Sequence, residues 1–145
     1  MMSPYLQIIG ICIVMALAIA AYGTLRCRSS TFTDPLTYSP LGPPWDKFLD
    51  GWGVSHLVFY GVLAYMYPSW PTLAFIALIG IAWEVIESLA KDRPFYLSEC
   101  KYSINTDHAA GAGAAGWWYG RWQDIVMNSL GMVIGLALRH VVVDR

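Results

Sequence analysis

The sequence predicts an all-α membrane protein whose four transmembrane helices form a compact bundle. Charged residues make up 13% of the 145 residues and hydrophobic residues 57%, and the mean hydropathy is +0.46. Soluble domains average about 25% charged residues, and long apolar runs with few charges are typical of membrane spans. The net charge of −1 argues against a nucleic-acid partner, because such a partner requires a basic face.

The predicted spans, in chain order, are residues 5–25, 52–67, 72–90 and 122–143. The first is an apolar run of about 20 residues with no Lys or Arg before it, which favours a span over a cleaved signal peptide. The second is short for a bilayer core of roughly 30 Å. Pro68 and Pro71 predict a tight turn between the second and third spans, because proline does not continue a helix interior.

Two polar connections join the spans into a single integral membrane domain, residues 1–145. The first connection, residues 26–51, is Pro-rich and holds four prolines from Pro35 to Pro44. The long third connection, residues 91–121, contains the Gly/Ala-rich stretch Ala109–Gly116. That stretch lacks the Gly-Lys-Ser/Thr of a phosphate-binding loop, so we interpret it as a packed linker.

The distribution of Lys and Arg predicts the topology, because cytosolic loops carry an excess of both. Seven lie in the two long connections: Arg26, Arg28, Lys47, Lys91, Arg93, Lys101 and Arg121. The tail carries two, Arg139 and Arg145. Both termini are therefore expected on the non-cytosolic side.

Glu84 and Glu87 lie inside the third apolar span, where a charge costs about 2.5–3.5 kcal/mol. His56 of the second span and Asp124 and Asn128 of the fourth are expected at a similar depth, because those spans start on the side where the third ends. Residues three or four apart share a helix face. We therefore predict a buried polar cluster of His56, Glu84, Glu87, Arg121, Asp124 and Asn128.

Gly131 and Gly135 form a GxxxG pattern that allows close helix packing, within the chain or between chains. Aromatic residues at the span ends are typical of interfacial anchors. The predicted anchors are Trp45, Trp52, Trp117, Trp118 and Trp122.

Three segments, "WDKFLDGWGVSHLVFYGVLAY", "WEVIES" and "GRWQDIVMNSLGMVIGLAL", resemble VanZ-like membrane proteins and allied small bacterial membrane families of unknown function. The resemblance covers residues 45–140. It implies functional positions at the residues that match the family pattern: Asp46 or Asp50, His56, Glu84 or Glu87, Asp124, Asn128 and Gly131.

The expected function is that of a structural or accessory subunit of a larger membrane assembly, in which the cluster clamps three helices together. Its expected partners are the lipid bilayer and other membrane-protein subunits, and no cofactor is predicted. One alternative is a membrane enzyme that uses His56, Glu84, Glu87 and Asp124 as a metal or acid–base site on a lipid-linked substrate. Another is a conduit for protons or small solutes.

Overall fold

The computed structural model describes residues 2–28, 35–42, 45–46, 48–90 and 120–143. Within these ranges the chain forms four α-helices and no strand: α1 (Pro4–Arg28), α2 (Gly51–Met66), α3 (Trp70–Ala90) and α4 (Trp122–Val142). The all-helical prediction is therefore confirmed for the described part of the chain, and each helix begins and ends close to its predicted bounds.

Helix α1 starts at Pro4. Proline lacks a backbone N–H, but at the first position of a helix that N–H would have no intrahelical acceptor, so no hydrogen bond is lost. Just over half of its residues at positions 4–23 are exposed, among them Val14 and Leu17, so α1 lies at the edge of the bundle. Two contacts fix its first turns: Ile8 is completely buried, and the Tyr67 hydroxyl donates to Gln7 Oε1 at 2.8 Å.

Helix α2 begins after Asp50, whose carboxylate caps the helix by accepting from the Gly53 N–H at 2.7 Å. With 16 residues it is about 24 Å long at 1.5 Å per residue. The other three helices are long and apolar enough to cross a membrane, over Pro4–Gly23, Trp70–Leu89 and Trp122–Val142. The fold is thus consistent with an integral membrane protein with three span-length helices.

Helix α3 begins two residues earlier than predicted, at Trp70, and Pro71 lies in its first turn. Pro71 was expected in the turn itself, but proline is well accommodated at a helix start because its fixed φ suits the helix. The Thr72 hydroxyl, which lies 2.8 Å from both the Tyr67 and Ser69 carbonyl oxygens, links this start to the turn.

Helices α2 and α4 form the most extensive contact and run parallel, since residues 50, 56 and 65 meet residues 121, 128 and 139 in the same order. Glycines make this contact possible. A Cβ on Gly131 would collide with the Leu57 carbonyl, and one on Gly135 with the Gly61 carbonyl. The GxxxG pattern therefore packs within the chain.

The first connection contains a 3₁₀ turn at Pro35–Thr37 that packs against the start of α2. A Cβ on Gly51 would lie only 2.7 Å from the Leu36 Cα, so this connection is close to the helix backbone. Most of the third connection, including Ala109–Gly116, lies outside the described residues.

Candidate functional site

Polar side chains converge at one end of the bundle, where α2 and α4 begin and α3 ends. Their burial is nearly complete: Glu84 is 4% exposed, Asp124 3% and Asn128 4%. The structure brings together five members of the predicted cluster and one residue outside it: His56, Glu84, Arg121, Asp124, Asn128 and, in addition, Asp50.

Arg121 lies at the N-terminus of α4 and links two carboxylates through its guanidinium. Nη1 and Nη2 donate to Asp50 at 2.6 and 3.3 Å. Nε and Nη2 donate to Asp124 at 2.8 and 2.9 Å. Burial lowers the pKa of the guanidinium, but the hydrogen bonds to Asp50 and the charge of Asp124 outweigh it and raise that pKa. The side chain is therefore a permanent cation.

The backbone of Arg121 makes a third link, because its N–H donates to Glu84 Oε2 of α3 at 2.8 Å. Gly120, just before it, lies against the end of α3, and a Cβ there would collide with the Glu84 carbonyl and the Ser88 hydroxyl. One residue thus joins the segment before α2, helix α3 and helix α4.

His56 connects α2 to the same group. Its Nδ1 lies 2.9 Å from Asn128 Oδ1 and 3.9 Å from Glu84 Oε1. The imidazole stacks on Tyr60 one turn later, with ring centroids 6.3 Å apart. Gly80 of α3 lets the Asn128 and Tyr60 side chains approach the α3 backbone closely, since a Cβ there would lie 3.0 Å from both Asn128 Nδ2 and the Tyr60 hydroxyl.

Two polar atoms of this site have no hydrogen-bond partner in the described structure, Glu84 Oε1 and Asn128 Nδ2. An unsatisfied buried polar atom costs about 1–3 kcal/mol. Both belong to residues whose other polar atom is bonded, Glu84 to Arg121 and Asn128 to His56. Each free atom therefore belongs to a side chain that is already held in place.

Charge within the site is unbalanced. Three carboxylates bond to the same residue, Arg121. Those of Asp50 and Asp124 accept from its guanidinium, and that of Glu84 accepts from its backbone N–H. With all three ionised, the described cluster carries two more negative than positive charges. His56 offsets part of this excess when it is protonated.

Glu87 lies at the margin of the site rather than in its hydrogen-bonded centre. It is half-buried one turn after Glu84, and the Trp83 side chain hydrogen-bonds its carboxylate. The ligand atoms that lie closest together, within 4.8 Å of one another, come instead from His56, Glu84 and Asp124.

A largely apolar cavity of about 300 Å³ reaches the site from the side of α1. Residues of α1, α2 and α3 line it, and His56 and Ser55 supply polar groups to its wall. His56 therefore faces both the buried carboxylates and an apolar space within the helices.

The predicted anchors divide into three groups. Trp45 and Trp122 are exposed, as an interfacial position requires, and both lie near Phe48, at ring distances of 6.2 and 5.4 Å. Trp52 is partly buried and packs edge-to-face on Tyr22 of α1 at 5.7 Å. Trp117 and Trp118 lie outside the described residues.

Asp50 is the residue that the predicted cluster lacked. The VanZ-like resemblance left Asp46 and Asp50 as equal candidates, and the structure places Asp50 in the site while Asp46 remains partly exposed. A sequence signal for this choice exists, since an aspartate directly before an apolar helical run is a preferred N-cap. One oxygen of the Asp50 carboxylate caps α2, and the other accepts from Arg121.

No family model matches the chain, and neither a curated protein nor a solved structure matches it at a significant level.

Proposed function

We propose that the chain is a structural or accessory subunit of a larger membrane assembly, and that its buried polar cluster clamps α2, α3 and α4 together. The observation that carries this proposal is the position of Arg121, which bonds Asp50, Asp124 and Glu84 at once. Interhelical polar contacts in membranes contribute about 0.6–2 kcal/mol each. Several such contacts on one residue favour a single packing arrangement.

The proposed membrane arrangement has four spans, with α2 as a short fourth one. A span of about 24 Å is accommodated by local thinning of the bilayer, at a fraction of a kcal/mol per Å. The excess of Lys and Arg in the connections supports non-cytosolic termini. Arg121 and Arg139 contribute little to that bias, because both bond protein groups, Arg139 at the Tyr65 carbonyl.

Membership of the VanZ-like families is part of this proposal. Its support is the order of the polar residues along the chain: an aspartate and a histidine open one helix, a glutamate lies near the end of the next, and D-x-x-x-N-x-x-G opens the last. Asp50, His56, Glu84, Asp124 and Asn128 carry that pattern.

Helix α1 is the surface we assign to partner subunits. Its exposed apolar residues include Leu6, Ile13 and Leu17, and only its inner face contacts the other helices. A helix so loosely packed within its own chain leaves a continuous apolar face for another transmembrane helix or for lipid.

Native electrophoresis of the tagged protein, extracted from its own membranes in a mild detergent, tests the proposal. The wild-type chain should migrate in a complex well above its 16.1 kDa monomer mass. Arg121→Gln should lose that complex because it disrupts the clamp, while the control Arg139→Gln should keep it. Migration of the wild type as a monomer would rule out the subunit role.

A second candidate, a membrane enzyme acting on a lipid-linked substrate, is favoured by one observation: His56 lines the apolar cavity as well as contacting the buried carboxylate of Glu84. An apolar chain in the cavity would place a linked phosphate beside His56 and the carboxylates. The purified protein should then release phosphate from a polyprenyl diphosphate, and His56→Gln should abolish the release. Equal release from both proteins would exclude this candidate.

A further inference from the structure

We propose that His56, Glu84 and Asp124, together with Asn128, form a binding site for one divalent transition-metal ion. The site lies at the same end of the bundle as the clamp and shares Asp124 with it, since both Asp124 oxygens accept from Arg121. The clamp depends on the Arg121 bonds, whereas the ion site depends on the histidine and on carboxylate oxygens that face it.

The geometry supports a single shared ion. Ligand atoms of His56, Glu84 and Asp124 all lie within 4.8 Å of one another. Four-coordinate zinc, with bonds of about 2.0–2.1 Å, requires ligand atoms about 3.3 Å apart. Side-chain shifts of about 1.5 Å or less therefore close the set around an ion. Asn128 Oδ1 hydrogen-bonds His56 Nδ1 at 2.9 Å, so a small separation of the two atoms would let it bind the same ion as a fourth ligand.

Glu84 Oε1 gives the independent indication of a ligand. This oxygen is buried, has no hydrogen-bond partner in the described structure and lies on the His56 side of its carboxylate. The other oxygen, Oε2, is fixed by the Arg121 N–H. The free oxygen is thus held in place on the side that faces His56, as a metal ligand with an outer hydrogen bond is held.

Charge supports the same conclusion. Asp50 and Asp124 pair with a single guanidinium, and Glu84 accepts only from the backbone N–H of the same residue, which leaves an excess of two negative charges when all three carboxylates are ionised. One divalent ion neutralises that excess. Buried charges in proteins are paired or coordinate metals, and the pairing available from Arg121 is already used by Asp50 and Asp124.

The ligand types identify the class of ion. One imidazole nitrogen with carboxylate and amide oxygens suits zinc, manganese, iron or cobalt, whereas magnesium and calcium prefer oxygen alone. In this arrangement His56 binds through Nδ1 and carries its proton on Nε2. Cys12 lines the neighbouring cavity but does not belong to the converging set.

The test uses the full-length chain in detergent micelles, stripped with a chelator and titrated with Co²⁺ as a spectroscopic probe. The wild type should bind one Co²⁺ per chain, with visible absorption bands that Zn²⁺ displaces. Glu84→Gln and His56→Gln should each weaken binding at least tenfold. His140→Gln, at the opposite end of α4, is the matched histidine control and should bind as the wild type does.

Asn128→Asp keeps the test decisive if the loss variants do not fold. It adds a carboxylate oxygen at the fourth position and should bind Co²⁺ at least as tightly as the wild type. Absence of Co²⁺ binding to the folded wild type, or equal binding by wild type, Glu84→Gln and His56→Gln, would overturn the proposal. Asp50→Asn separates the clamp from the ion site, because Asp50 bonds Arg121 but is not among the proposed ligands. It should weaken the clamp and leave Co²⁺ binding as in the wild type.

Discussion

Arg121 and Asp50 lie 71 positions apart in the sequence, and their side chains meet at 2.6 Å. The pair joins the residue that caps α2 to the residue that directly precedes α4. Because Asp50 also accepts from the Gly53 N–H, its carboxylate serves the helix end and the ion pair at the same time. The position of one helix start is thereby tied to the other.

Arg121→Gln is expected to destabilise the protein by about 3–5 kcal/mol, because removing one partner of a buried ion pair leaves uncompensated charge. Asp50 and Asp124 would both lose their cation. Reversible unfolding in mixed micelles, followed by far-UV circular dichroism, measures the difference. Arg139→Gln, which removes the single bond to the Tyr65 carbonyl, should cost about 0.5–1.5 kcal/mol. Equal costs for the two variants would contradict the clamp.

Gly131→Ala should separate α2 from α4, since the new methyl group would collide with the Leu57 carbonyl. Overpacking of this kind costs about 1–3 kcal/mol. The matched control is Gly10→Ala in α1, where a Cβ meets nothing within 4 Å and alanine is the better helix former. The same unfolding assay should show a loss for the first variant and no loss for the second.

Gly120→Ala should move the chain away from α3, because a Cβ there would collide with the Glu84 carbonyl. The expected cost is again about 1–3 kcal/mol. The Arg121 N–H should also lose its bond to Glu84, which faster exchange of that amide with solvent deuterium would reveal. Gly42→Ala, in open space, is the control. Unchanged exchange at Arg121 would mean that the two helices do not meet through this bond.

Ile8→Ala should weaken the attachment of α1, because Ile8 is completely buried. The expected cost is about 1–2 kcal/mol, below the 2–5 kcal/mol seen in water-soluble cores, because the surrounding lipid is itself apolar. Ile13→Ala removes the same atoms from a side chain that is 54% exposed and should have almost no effect. Thermal unfolding of both variants checks this, and equal shifts would place α1 differently.

The sequence predicts the helices well because long apolar runs interrupted by proline leave few alternatives. It also predicts that His56, Glu84 and Asn128 approach one another, because the spans alternate in direction. It does not predict the bond from the Arg121 backbone, since a side-chain pattern carries no information on main-chain donors. Nor does it distinguish Asp50 from Asp46 until the start of α2 is known, because capping requires the exact helix boundary.

The packing of Gly61 against α4 is likewise not predictable from the sequence. The GxxxG pattern of α4 indicates a close helix contact, but the partner could be any apolar helix. Its partner surface on α2 consists of Gly61 and the Leu57 carbonyl, and a single glycine in an apolar run carries no pattern. Only the fold shows that α4 packs in parallel with α2, its most extensive contact.

The parallel pairing of α2 with α4 also sets an order of assembly during synthesis. Helix α2 leaves the ribosome before α4, yet Asp50 meets its cation only when Arg121 has been made, 71 residues later. Until that point His56 and Glu84 lie in the nascent chain without the fourth helix that completes their surroundings. A chain truncated before Arg121 would carry these polar groups into the bilayer without their partners, and we expect cellular quality control to degrade it rather than leave a three-helix fragment.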